Sequence, residues 1–265
     1  MKNKIFSLRN FFVCNILICC FYLFGIGQEE SVHQKFIEAN KFYEARDYSK
    51  AIEIYENLIK DFNIQSSVIY YNLGNAYYRT NQIGKAILNY ERAVKLNPRD
   101  EDIFYNLKYV KKIINDVQPE NIFQKLYRYM KINELKILLT MSNIVFFIFL
   151  GIYVAKKSSI SRWFSIVFGV ILIFFLFWTI SRISDENKKF GIVMSTAVIR
   201  SGPGEDYTAI VTIPEGKKLE ILSEQEGWYA VAVSIEPGSE NEDSTQLLHR
   251  QKYKGWIEKT KLEKI

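Results

Sequence analysis

The side chains best suited to nucleophilic, acid–base or metal chemistry are few in this sequence and poorly spaced for it. Only two histidines occur, His33 and His249, near opposite ends of the chain. A catalytic base must sit within hydrogen-bond reach of its nucleophile, and a catalytic zinc needs three protein ligands, so neither arrangement follows from this pair. The three cysteines, Cys14, Cys19 and Cys20, all fall in the first apolar stretch. Once that stretch is set aside, no thiolate site or disulfide framework is expected. Carboxylates are scattered as solvated faces, and no phosphate-cradling glycine loop precedes a helix. The chain therefore reads as a non-enzyme, with no catalytic residue, no cofactor and no metal ligand. What function it has must come from surfaces.

Charge narrows the kind of surface. Lys and Arg outnumber Asp and Glu by 35 to 29, for a net charge of +6. Basic excess of this sort suggests nucleic acid only when it is concentrated on a folded domain. Here residues 28–155 carry 17 basic and 15 acidic side chains, and residues 181–265 carry 12 and 14. The excess lies in two short segments instead, Lys2, Lys4 and Arg9, then Lys156, Lys157 and Arg162. Nucleic acid is not an expected partner. Cations beside apolar spans mark the cytoplasmic side of a membrane.

The apolar segments fit that reading. Residues 1–27 combine a basic start, the run Phe11–Phe24 and a small-residue end, Gly25-Ile26-Gly27, the order of a signal peptide or an uncleaved signal anchor. Ile137–Ala155 and Trp163–Ile180 are charge-free, and each approaches the ~20 residues that cross a hydrocarbon core. Seven residues link them, so residues 137–180 are expected to form a transmembrane hairpin with its basic turn inside. Both flanking regions then lie outside.

The region before the hairpin repeats itself. Ala51-Ile52-Glu53-Ile54-Tyr55 returns as Ala86-Ile87-Leu88-Asn89-Tyr90, and Tyr71-Asn72-Leu73 returns as Tyr105-Asn106-Leu107. Such periods of about 34 residues mark stacked helical units, each amphipathic and turning near Arg46-Asp47 or Asn81-Gln82. The residues resemble the tetratricopeptide repeat, chiefly through Leu73-Gly74, Tyr77, Ala86, Tyr90, Ala93 and Pro98. Ala39, Ala51, Tyr55 and Leu58 give a weaker first copy. Asp102–Asn115 copies a third first helix, with Lys108 and Lys111 suiting a solvated end cap. The resemblance implies an all-α domain over residues 28–118 whose first helices line a peptide-binding groove. Carried across, the groove positions are Phe36, Asn40, Tyr43, Tyr71, Asn75, Tyr78 and Arg79, with the tyrosines reading equally as packing between repeats. Asn40 and Asn75 occupy equivalent places, where an amide offers an extended peptide one donor and one acceptor. As exposed polar positions they are expected to shift stability by only about 0.5 kcal/mol. Residues 119–136 form an amphipathic juxtamembrane segment, read either as lying on the bilayer or as an extra cap helix.

From residue 188 the pattern changes to short alternating runs, with strands expected at Val193–Ile199, Leu219–Leu222, Trp228–Val233 and Gly255–Ile257. Gly202-Pro203-Gly204, Pro214-Glu215-Gly216 and Glu226-Gly227 supply turns. The string from Ala197 to Gly204, with Gly227-Trp228 and Gly255-Trp256, resembles the bacterial SH3-like domain. The resemblance implies an all-β barrel over residues 188–265, interrupted by a polar insertion at Ser234–Lys252. Trp228 and Trp256 are read as core and not as a ligand platform.

The whole order, a multidomain membrane protein of signal peptide, repeats, hairpin and SH3-like domain, resembles the BatE-type members of the Bat (aerotolerance operon) family. That resemblance implies a scaffold in the bacterial inner membrane with both soluble domains on the periplasmic side. Von Willebrand A-type Bat proteins would be its protein partners, in a complex linked to aerotolerance or stress. The other reading is an envelope anchor that grips peptidoglycan through the SH3-like domain.

The charge partition makes a direct prediction. Reporter fusions at residues 120 and 200 should behave as exported and one at 159 as cytoplasmic. A cytoplasmic signal at residue 120 overturns this topology.

Overall fold

Residues 31–117, 120–235 and 251–265 are described by the computed structural model. The signal sequence expected at 1–27, its cysteines, and most of the polar insertion with His249 lie outside the described residues. The chain divides into two compact units, Met1–Asn97 and Pro98–Ile265.

The first unit holds two helix pairs: α1 (31–44) with α2 (Tyr48–Asp61), and α3 (Ser67–Arg79) with α4 (Ile83–Leu96). Their inner faces carry Ala39, Ala51, Tyr55 and Leu58, then Leu73, Ala86, Tyr90 and Ala93, all buried. Each pair turns in the same way. Arg46 and Asn81 adopt left-handed φ values of 63° and 60°. Asp47 N then donates to Phe42 O and Gln82 N to Tyr77 O, both at 2.9 Å, which satisfies carbonyls the helix would otherwise leave bare. Gly74 is where the pair closes. A Cβ built there would lie 2.9 Å from the Tyr90 ring.

In the second unit α5 (Glu101–Ile113) starts on an Asp100 cap, whose carboxylate accepts from Asp102 N and Ile103 N. It ends with the same turn, Asn115 at φ 52° and Asp116 N donating to Lys111 O at 2.9 Å. The amphipathic segment expected at 119–136 is not continuous. It contains the short helix α6 (Ile122–Tyr129), opened by an Asn121–Gln124 capping box, and the first turns of α7.

Helices α7 (Ile132–Lys156) and α8 (Ser159–Glu186) contain both apolar runs and are long and apolar enough to cross a membrane. Lys157, left-handed at φ 48°, and Ser158 alone join them. Phe149 stacks on Phe164 and Phe168, with centroids 4.9 and 5.4 Å apart. Hydroxyls inside the pair bond back to their own helix: Ser165 Oγ donates to Ser161 O and Thr179 Oγ1 to Phe175 O.

A seven-stranded antiparallel sheet completes the unit: β1 (Lys189–Val193), β2 (Ala197–Arg200), β3 (Ala209–Ile213), β4 (Lys218–Gln225), β5 (Trp228–Ile235), β6 (Gln251–Glu258) and β7 (Leu262–Lys264). Their spatial order is β3-β2-β6-β5-β4-β1-β7. The single strand expected at Val193–Ile199 is two. Val193 pairs with Leu262 whereas Ala197 pairs with Ile213, so the chain changes neighbours between them. β3 gave no sequence signal because, at the edge of the sheet, it buries only Ile213. Trp228 and Trp256 also depart from expectation. The core takes the next residue of each pair, Tyr229 and Ile257, while both tryptophans are half-buried on the opposite face. Gly255 is required by close approach, since a Cβ there would lie 2.5 Å from Arg200 O.

Replacing Gly74 by leucine forces the Tyr90 ring away from α3. Overpacking of this kind costs about 1–3 kcal/mol. The helical melting transition of the full chain in detergent should fall accordingly, and an unchanged midpoint would refute the contact.

Candidate functional site

The site is assembled from one arrangement used twice. In the first pair Phe36 and Asn40 of α1 meet Tyr55 of α2. In the second pair, 35 residues later, Tyr71 and Asn75 of α3 meet Tyr90 of α4. The ring of Phe36 lies 6.3 Å from that of Tyr55, and the ring of Tyr71 lies 6.0 Å from that of Tyr90. Tyr55 Oη donates to Asn40 Oδ1 at 2.5 Å, and Tyr90 Oη donates to Asn75 Oδ1 at 2.6 Å. Both tyrosines are 1% exposed, so these amides are the partners of buried hydroxyls.

That finding changes the expectation for the asparagines. They are half-buried, and each spends its carbonyl on the partner helix. Asn40 Oδ1 accepts a second bond from Asn72 Nδ2 at 3.0 Å. A buried hydroxyl left without its acceptor costs about 1–3 kcal/mol, well above the effect of an exposed polar change.

Around these amides lies a cavity of about 180 Å³ lined by Asn40, Tyr43, Glu44, Tyr55, Asn72 and Asn75. Three of the seven groove residues named from the sequence, Asn40, Tyr43 and Asn75, reach it. Phe36 and Tyr71 instead buttress the inner tyrosines. Arg79 is exposed and donates through Nε to Tyr48 Oη at 3.1 Å, with its guanidinium over the Tyr48 ring. Tyr43 packs edge-on against the same Tyr48 ring at 5.2 Å. Tyr78 is half-buried and does not line the cavity. Asn72 and Glu44 are the residues that sequence reasoning passed over. For Asn72 a signal existed: it recurs as Asn106 in the third copy.

The lining carries three carboxamides, two phenols and one carboxylate, and no cation. Such a set can hold main-chain amides and hydroxyls and favours a neutral or basic segment over an acidic one. Burial pushes the Tyr55 hydroxyl up to about 12, against a smaller lowering by Asn72. Burial also raises Tyr43 and Tyr90. Beneath the second pair Tyr77 Oη donates to Glu56 Oε1. Burial alone would raise the Glu56 carboxyl, yet bonds from Tyr77 and Lys60 hold it below its ordinary value.

Comparison with known proteins agrees with the two domain types. The family model described as TPR repeat matches residues 74–110, and the one described as Bacterial SH3 domain matches residues 195–263. These are a helical repeat region and a C-terminal antiparallel domain of the bacterial SH3 kind, modules typically used for interaction and not catalysis. No curated protein matches the sequence. Among solved structures, MamA 41-end from Desulfovibrio magneticus RS-1 is 22% identical with a TM-score of 0.29, covering 31% of this chain and 46% of its own. This chain thus spans less than half of that protein's length. A crystal structure of MamA is 16% identical with a TM-score of 0.31, covering 58% and 81%. YrrB, a TPR protein with an unusual peptide-binding site, is 15% identical with a TM-score of 0.29, covering 56% and 84%.

Two measurements check the shared amide. Asn40→Ala should lower stability by about 1–3 kcal/mol, whereas adding Tyr55→Phe should restore part of the loss by removing the orphaned hydroxyl. Strict additivity would reject the bond. The raised Tyr55 pKa stabilises the fold fully below the unfolded value of 10.0, and that stability is lost as pH rises from there to about 12. Helicity followed through this window should fall less steeply in Tyr55→Phe than in the parent chain.

Proposed function

We propose that this protein is a non-catalytic, membrane-anchored scaffold that captures protein segments outside the cytoplasm through its helical repeats. The observation that carries the proposal is the amide-lined cavity between equivalent positions of two repeats. Asn40, Asn72 and Asn75 face one another across the first helices, where an extended peptide backbone needs donors and acceptors at intervals. Glu44 at the same cavity favours a partner segment with a basic or hydroxylated side chain.

Membrane anchoring rests on the hairpin. The most apolar windows of α7 and α8 are only 6% and 11% buried within the chain. Ile137, Phe147, Val170, Ile173 and Phe177 are each more than half exposed. Helices apolar on all sides need an apolar solvent. Orientation rests on the turn, where Lys156, Lys157 and Arg162 stand without an anion. At the other end Arg99 pairs with Glu134 and Lys188 with Asp185. The periplasmic face of a bacterial inner membrane, a Bat-type complex with von Willebrand A-type partners and a role in aerotolerance or stress are what the resemblance to BatE-type proteins implies, and they belong to this proposal.

One observation favours the peptidoglycan reading alongside it. Trp228 and Trp256 lie on the sheet face away from the core, and Arg200 is in register with Trp256. A half-exposed aromatic pair beside a cation is a surface a glycan or peptide could stack on.

Affinity capture from native membranes tests both. Glu44→Ala should cut recovery of co-purifying membrane proteins by more than half without shifting the helical melt. Undiminished recovery rejects the cavity as the site. Loss of sedimentation with cell-wall sacculi in Trp228→Ala, with membrane partners retained, would instead assign the wall to the sheet.

A further inference from the structure

Helix α6 is amphipathic in the reverse of the usual sense. Its residues Tyr127 and Arg128 lie side by side on the helix, and this polar side is the one turned toward the protein. Arg128, 13% exposed at its side chain, donates through Nε to Glu120 at 3.0 Å, and its guanidinium sits 3.8 Å from the Phe104 ring centre. It also donates to the carbonyl of Pro98. Tyr127 stacks on Trp178 of α8 and donates to Asp185, with Ser181 Oγ 3.3 Å away and the Arg182 guanidinium over its ring.

The opposite side holds Ile122, Phe123 and Leu126, and it is bare: they are 76%, 77% and 49% exposed. A short surface helix in water hides its apolar stripe and shows its polar one. Here the stripe is displayed while an arginine is buried behind it. That inversion is stable only if the displayed side meets something apolar.

We propose that α6 lies in the interface of the lipid bilayer, with Ile122, Phe123 and Leu126 inserted at the boundary between headgroups and acyl chains. The inference rests on the reading of α7 and α8 as a membrane hairpin. Four observations choose lipid over a protein partner. Tyr127 ties α6 to Trp178, Ser181 and Asp185, the last turns of α8, so the helix is held at the depth where the span ends. α7 begins three residues after α6 ends, which leaves no length to carry the helix away from the surface. Exposed Lys131 and Lys136 follow the apolar side into the first turns of α7, while Lys125 pairs with Glu101 at 3.2 Å. Long cationic side chains there reach phosphates while their stems stay among acyl carbons. Trp178 and Tyr127 at the same level are the residue types enriched at membrane interfaces.

The consequence concerns geometry as well as affinity. A helix set in the interface fixes α5 and the chain before the hairpin against the surface, through Arg128 and its contacts with Glu120 and Phe104.

The test uses the full chain with Cys14, Cys19 and Cys20 replaced by serine, reconstituted into vesicles of phosphatidylcholine and phosphatidylglycerol. Single spin labels are placed by Phe123→Cys, by Lys108→Cys on α5 as an aqueous reference, and by Ile173→Cys in α8 as a bilayer reference. Oxygen and a water-soluble nickel chelate then compete for each label. The expected result is a Phe123 label shifted from the Lys108 value toward the Ile173 value, with strong protection from nickel. A Phe123 label as open to nickel as Lys108, while Ile173 stays protected, overturns the interfacial helix and leaves the hairpin standing. A Phe123 label shielded from both reagents assigns the face to protein, a second copy or a partner, and also overturns it. An aqueous Ile173 label removes the hairpin reading and this inference with it.

Discussion

A tyrosine of the second helix reaching an asparagine of the first is the interaction on which the helical pairs depend. Tyr90 does three things at once. Its ring fills the space that Gly74 leaves empty, it packs tilted against Tyr71, and its hydroxyl ends on Asn75. Apolar packing alone would tolerate a slide of one helix along the other. A buried hydroxyl with a single designated acceptor does not, because every other register strands it. Tyr55 and Asn40 repeat the arrangement with Ala39 in the place of Gly74. The same bonds bring three carboxamides to one cavity, so the feature that sets the register also makes the surface polar where a peptide would lie.

The turn that closes each pair is the second recurrent element, and its third use is different. Arg46, Asn81 and Asn115 adopt the same left-handed backbone and are followed by the same reversed hydrogen bond. After the first two, Asp47 and Gln82 begin a second helix. After the third, Asp116 occupies that place, and among the described residues the next helix is the short α6. Its carboxylate instead meets Lys217 Nζ at 2.5 Å, with both side chains more than four-fifths buried. Lys217 lies beside Gly216 in the turn before β4. An ion pair so enclosed is costly to break from one side, since the remaining charge stays desolvated. The sheet is thereby fastened to the residue at which the repeat pattern stops.

How much of this was legible depended on whether a residue's neighbours were local. The turns at Arg46 and Asn81 and the closeness demanded by Gly74 were readable, because a repeat shows its internal spacing twice. The partner of Asn40 was not. A polar residue at a groove position looks exposed from sequence, and only the fold places Tyr55 opposite it. Asn72 escaped for the same reason, although its echo at Asn106 was visible. In the sheet, β4 and β5 were found through alternation, while β3 carries almost no buried side chain and therefore no pattern. The two tryptophans were misplaced by one position each. Large aromatic residues invite assignment to the core, but the period of two is strict, and Tyr229 and Ile257 already hold it.

The hairpin joins these parts into one device, under the membrane reading. A two-residue connection at Lys157 and Ser158 holds both of its outer ends at a single bilayer face, so the chain leaves the membrane where it entered. Under that proposal the repeats and the sheet belong to the same side of the bilayer. If one partner offers a segment to the repeats and another to the sheet, linkage through one chain can add about 10²–10⁴ to avidity without a new contact. Neither module needs to bind tightly alone. Weak, separable grips release easily one at a time and hold well together.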